Sequence, residues 1–160
     1  MPDTPDWLCP LCELKDFGGD AIKYINALFA IFERDFIESK PTLWGKKVFF
    51  NGMPKYNGKP ETFWHITSSY QGGVRAPDPR RCERIGWIKG LIENSDKEEV
   101  LVWENTRGRD ARTLLFLEKE DYLVVLARRK SGFFLITAVY TDSKRRKDEL
   151  LEEYRKFRGV

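Results

Sequence analysis

His65 is the one histidine of the chain, and it stands in the stretch ETFWHITSS between aromatic and apolar neighbours and a run of hydroxyl residues. Imidazole is the side chain best suited to exchange protons near neutral pH, so His65 is the first candidate for a general acid or base. Ser68, Ser69, Tyr70 and the pair Gly72-Gly73 follow at once, and then comes Arg75. Such a segment can bend its backbone around a phosphate and set guanidinium groups against it, because arginine forms bidentate bonds to phosphate oxygens. The bland alternative is a histidine on a sheet surface.

Between residues 71 and 89 the cations Arg75, Arg80, Arg81, Arg84 and Lys89 face only Asp78 and Glu83, which makes a local basic patch. A second group, Arg107, Arg109 and Arg112, flanks a turn in ENTRGRDARTLLF. It reads either as a solvated hairpin or as a phosphate clamp that stabilises transition-state charge, with Arg112, at the strand start, the best held. In LITAVYT, Thr137 and Tyr140 are polar groups in a core-like strand. Being three apart they point to opposite faces of a regular strand, and only a bulge between them, at Ala138-Val139, aims both at one site. Cys9 and Cys12 have C-x-x-C spacing, but a structural zinc needs four ligands, and Cys82 and His65 follow no second knuckle spacing. Two reduced, partly buried thiols are the better reading, with zinc the weaker one.

The elements that must position these groups follow from periodicity and caps. Residues 1–19 read as an irregular arm. Asp20 caps a helix whose stripe is Ile22, Ile25, Phe29, Phe32 and Phe36, widened by Leu28 and Ile31, and Pro41 ends it. Residues 46–50 and 61–67 read as two strands joined by an exposed loop, the second by alternation of Phe63, His65 and Thr67 against Trp64 and Ile66. Asp78-Pro79 opens a helix with Ile85, Ile88 and Ile92 buried and Arg81, Arg84 and Lys89 off that stripe. Strands at 100–105, 112–118, 122–129 and 133–141, joined by short links, predict a four-stranded antiparallel meander. The third, YLVVLARR, is apolar on both faces and so belongs in the sheet centre. Ser143 caps a last helix, with Leu150, Tyr154 and Phe157 as its inner edge and Lys144–Asp148 and Arg145–Glu149 as surface pairs. The expected fold is one α+β domain over residues 1–160: N-terminal helices on a curved four-stranded antiparallel sheet, with a C-terminal helix.

A chain of 160 residues has room for one core, and a net charge of +3 does not by itself imply a nucleic-acid partner. Three cysteines, no signal-like segment and no apolar run of membrane length lead to the expectation of a soluble, cytoplasmic protein.

Taken together, FWHITS, the segment GRDARTLLFLEKEDYLVVLARR, the hairpin KSGFFLITAVY and the charged helix RRKDELLEEYRKF resemble the phage-associated branch of the nuclease superfamily that groups barnase, EndoU, colicin and RelE-type ribonucleases (the BECR fold). The resemblance covers about residues 60–158, a nuclease-like core. It implies helices packed on a four-stranded antiparallel sheet and a metal-independent endoribonuclease of the toxin type without a cofactor. The reaction would be attack of an RNA 2′-hydroxyl on the adjacent phosphate, leaving a 2′,3′-cyclic phosphate. It further implies His65 as acid or base, Arg112 as phosphate and transition-state stabiliser, Thr137 as hydrogen-bonding partner and Tyr140 as a polar or stacking group, with Val139 an extra residue relative to the family strand. Arg75, Arg81, Arg84, Arg107 and Arg109 would bind RNA, either tRNA or mRNA, and an acidic antitoxin or immunity protein would be the partner. A non-catalytic RNA- or protein-binding module of the same fold is the alternative, and a DNA-binding or adaptor protein with a zinc-held arm a third. Trp64, Trp87 and Trp103 are available to stack bases, although tryptophans of this kind more often serve the core.

Overall fold

The computed structural model describes residues 4–159. The meander forms as the short links predict, from β7 (Val100–Arg107), β8 (Asp110–Leu117), β9 (Tyr122–Arg129) and β10 (Gly132–Tyr140). Two-residue links, Gly108-Arg109 and Lys130-Ser131, close the first and last hairpins, with Arg107 opposite Asp110 and Arg129 opposite Gly132. The sheet is larger than expected. β1 (Thr42–Leu43) and β2 (Lys46–Phe49) extend it to six strands in the order β1-β2-β10-β9-β8-β7, with β2 parallel to β10. Gly132 permits this non-local pairing: its φ is +151°, and a Cβ there would run into the Lys47 carbonyl.

Helices cover both faces. α1 (Ala21–Phe32) is capped by Asp20, which accepts from the Ile22 and Lys23 amides at 3.0 and 3.2 Å, and it continues as a π-type segment, Glu33–Glu38. Its buried edge runs through Tyr24, Leu28, Phe32 and Phe36, displaced from the expected stripe, and Ile22 is 76% exposed. α4 (Trp87–Glu93) buries Ile88 and Ile92 together with the preceding Ile85, as the spacing predicts. These helices share a core with Leu115, Val124, Leu126 and Leu135 on one face of the sheet. On the other face α5 (Lys144–Arg158) seats Leu150 against Trp103, Leu114, Phe116, Leu123 and Val125. Ser143 caps α5 by accepting from the Arg146 amide, and Lys144–Asp148 and Arg145–Glu149 pair at 2.7 and 3.2 Å. Phe157 departs from the expected inner edge and is exposed, because the supporting cluster ends at Tyr154.

The N-terminal arm is irregular only as far as a 3-10 turn at Leu14–Phe17, and it is pinned. Trp87 donates through Nε1 to the Cys9 carbonyl at 2.7 Å, the Cys12 amide bonds the Glu83 carbonyl at 2.9 Å, and Trp7 Nε1 reaches Glu99 at 2.8 Å. Gly86 lets the arm approach this closely, since a Cβ there would stand 2.6 Å from Cys9 Sγ. Residues 1–3 of the arm lie outside the described residues.

The largest departure from the sequence reading is at Glu61–Thr67, which is not a strand but the seven-residue helix α2. Its buried residues, Thr62, Phe63, Ile66 and Thr67, fall at steps of one, three and one, a helical face that the apparent alternation conceals. Hydroxyls end the helix: Thr67 Oγ1 donates back to the Phe63 carbonyl at 2.8 Å, and Ser68 Oγ donates to the Trp64 carbonyl. Small hairpins flank it on both sides. β3 (Lys55–Tyr56) pairs with β4 (Lys59–Pro60) before it, and β5 (Ser68–Gln71) with β6 (Val74–Pro77) after it. Gly72 and Gly73 have φ of 62° and 84°, the conformation a two-residue primed hairpin turn requires. They therefore serve the hairpin rather than a phosphate loop. Among the described residues no helix is long and apolar enough to cross a membrane.

Candidate functional site

α2 presents His65 and Glu61 one turn apart on the same side, and their Nε2 and Oε1 atoms lie 3.0 Å apart. Spacing of four makes such a pair only on a helix, so reading this stretch as a strand hid Glu61. When the imidazole donates through Nε2 to Glu61, Nδ1 is the nitrogen that carries the acceptor lone pair. The pair opens into a cleft of about 480 Å³, lined also by Tyr56, Trp64, Ser68, Tyr70 and Arg75.

The main chain of His65 is held from a different direction. Asp78 caps α3 (Pro79–Glu83) by accepting from the Arg80 and Arg81 amides. This capped turn directs the Arg81 side chain at the end of α2, where Nη1 donates to the His65 carbonyl at 2.9 Å and to the Ser68 carbonyl at 2.8 Å. Thr137, on β10, closes the group: its Oγ1 lies 3.5 Å from both Arg81 Nη1 and the His65 carbonyl oxygen. Arg75 reaches the same Ser68 carbonyl at 3.1 Å and Ser68 Oγ at 2.9 Å, so two guanidinium groups converge on one peptide oxygen. Burial lowers the pKa of Arg81, Asp78 opposes that fall, and the Arg75 charge adds to it. Asp78 Oδ2 is 3.7 Å from Arg81 Nε, while Arg75 has no carboxylate partner among the described residues. Arg75 is thus a cation in the cleft wall that a bound anion could meet.

Tyr140 forms the outer part of the cluster. The Arg84 and Arg80 guanidinium groups lie over its ring at 4.4 and 5.4 Å. Arg84, expected off the buried stripe, is only 7% exposed, because the helix breaks between α3 and α4 and turns its side chain inward between Trp87 and Tyr140. The bulge in β10 lies between Leu135 and Thr137, not at Ala138-Val139. Thr137 and Tyr140 nevertheless both engage α3, each through a different arginine.

Arg112 does not join this group. It stands opposite Asn105, whose Nδ2 donates to Glu153 of α5 at 2.7 Å, and it shares the strand parity of Leu114 and Phe116 in the α5 cluster. It therefore lies on the sheet face away from α2, and its buried Nε has no hydrogen-bond partner among the described residues. Arg81 occupies the place beside residue 65 that the sequence reading assigned to Arg112. Arg107 and Arg109 are exposed at the β7–β8 turn. Of the tryptophans, Trp87 and Trp103 are buried in the core, and only Trp64 lines the cleft.

Cys9 and Cys12 are half-buried free thiols and Cys82 is buried, and burial raises the pKa of all three. Among the described residues no group of three or more His, Cys, Asp or Glu side chains is placed to hold a metal. The Cys82 thiol instead donates to the Thr67 carbonyl at 3.3 Å and ties α3 to the end of α2. Comparison of the chain with protein-family models, with curated proteins and with solved structures finds no match in any of the three.

Proposed function

We propose that the α2 cleft is the active site of an endoribonuclease that works by transesterification without a metal. The observation that carries this reading is the Glu61–His65 pair, 3.0 Å apart and open to a cleft whose wall includes Arg75. His65 Nδ1 takes the proton of a ribose 2′-hydroxyl, that oxygen bonds to the adjacent phosphorus, and the bond from phosphorus to the 5′-oxygen breaks. Water in the open cleft supplies the proton to the departing oxygen. Glu61 steadies the imidazolium, and Arg75 meets the negative charge that gathers on the phosphate. Arg81 and Thr137 position the histidine. The resemblance to toxin-type nucleases fits this chemistry, with an acidic protein that covers Arg75 as its natural inhibitor.

Incubation of the purified protein with single-stranded RNA in EDTA tests the reaction, followed by identification of the product ends. Products ending in 2′,3′-cyclic phosphate and 5′-hydroxyl are expected. Intact RNA overturns the reading. One observation favours the alternative of a non-catalytic RNA-binding module: Arg81 is committed to main-chain carbonyls rather than free for a phosphate. Binding of RNA without cleavage supports that second reading.

A further inference from the structure

We propose that the cleft between the β3–β4 and β5–β6 hairpins is a nucleobase subsite for single-stranded RNA, with Tyr56 and Tyr70 as its stacking surfaces; the identity of the ligand rests on the ribonuclease reading above. Large aromatic side chains are normally withdrawn from water, yet Tyr56 is 57% and Tyr70 72% exposed, and both line the same cleft as Glu61 and His65. A volume of about 480 Å³ is in the range of sites for molecules the size of one nucleotide.

Both surfaces rest on fixed backbone. Trp64 Nε1 donates to the Tyr56 carbonyl at 3.0 Å and ties the first hairpin to α2. The second hairpin is tied at Ser68, whose carbonyl accepts from Arg81 of α3 at 2.8 Å, and within the hairpin Arg75 bonds Ser68 and lies 4.9 Å from the Tyr70 ring. Arg75 thus backs one aromatic surface while its charge, without a carboxylate partner among the described residues, stays available to a phosphate. Aromatic surfaces beside a cation suit an unstacked base attached to its phosphate, since stacking accepts any base and the cation accepts the backbone. The subsite places the base on the two hairpins and the ribose toward His65.

Anisotropy titration of the whole protein with a labelled, fully 2′-O-methylated oligoribonucleotide tests this, because that probe lacks the attacking hydroxyl and stays intact. The double variant Tyr56→Ala/Tyr70→Ala is expected to bind at least about fivefold more weakly, the low end of the worth of one stacked base. Tyr56→Phe/Tyr70→Phe retains wild-type binding, as does Phe157→Ala, which alters an exposed aromatic on α5. A smaller loss in the alanine variant, an equal loss in the phenylalanine variant, or a wild type that does not bind the probe overturns the subsite. Cleavage of unmodified RNA separates the two readings. Cutting with no tyrosine-dependent binding removes the subsite alone, and tyrosine-dependent binding with no cutting removes the reaction alone.

Discussion

The guanidinium of Arg81 donates to the main-chain carbonyl of His65 at 2.9 Å, so the candidate catalytic histidine is set in place by a residue from the following helix. The same Nη1 bonds the Ser68 carbonyl at 2.8 Å and approaches Thr137 at 3.5 Å. Replacing Arg81 with alanine removes the closest donor to both carbonyls, leaving Ser68 only Arg75 at 3.1 Å and His65 only Thr137 at 3.5 Å. The expected cost is about 3 kcal/mol, read as a fall in melting temperature of roughly 6 to 12 °C. Arg81→Lys recovers little of it, because one ammonium on a flexible stem does not reproduce the planar fork. A melting temperature unchanged in Arg81→Ala contradicts this role.

Thr137→Val keeps the shape and removes the hydroxyl between Arg81 and residue 65. With the two carbonyl bonds of Arg81 intact, the loss is about 1 kcal/mol. Cleavage falls by at most about fivefold, the rate equivalent of that loss. A larger fall in single-turnover rate assigns Thr137 a direct contact with the substrate.

Glu61→Gln keeps a polar neighbour for His65 Nε2 but removes the charge that steadies the imidazolium. Turnover is expected to fall about 10²-fold with KM unchanged, since the carboxylate acts on the proton transfer and not on substrate binding. A rise in KM at constant turnover places Glu61 among the binding groups instead.

The outline of the fold was legible wherever the controlling signal is local. Apolar runs of strand length mark β7 to β10, and the short links between them require a meander. Asp20, Asp78 with Pro79, and Ser143 mark helix starts by side chains that bond amides two or three residues on. The candidate site was harder to read because tertiary contacts decide it. ETFWHIT carries β-branched and aromatic residues that favour a strand, and it is helical because Phe63 and Ile66 are both fully buried in the core. The parallel pairing of β2 with β10 depends on residues more than eighty positions apart in the chain, and no local pattern announces it. Arg112 and Arg81 look alike as residues. Only the covering helices determine that one faces α5 and the other α2.

Alkaline pH should weaken the fold through groups that burial keeps protonated. Burial pushes the Cys82 thiol from an ordinary 9.0 up to about 12. Burial likewise raises the Tyr24 and Tyr122 hydroxyls above their ordinary value of 10.0. Because the unfolded chain gives up these protons first, their contribution to stability is whole below about pH 9 and is lost as pH rises toward 12. Melting temperature measured upward from pH 8 should fall beyond pH 9, and less steeply in Cys82→Ala. An identical slope in the variant contradicts this assignment.

The most direct measurement is RNA cleavage in EDTA by His65→Ala beside the wild type, with folding of both checked by melting temperature. His65 is partly exposed and the supporting bonds of Arg81 and Thr137 go to its main chain, so the variant should fold and melt close to the wild type. The account predicts loss of cleavage by at least about 10²-fold. Cleavage at the wild-type rate by a folded His65→Ala protein contradicts it.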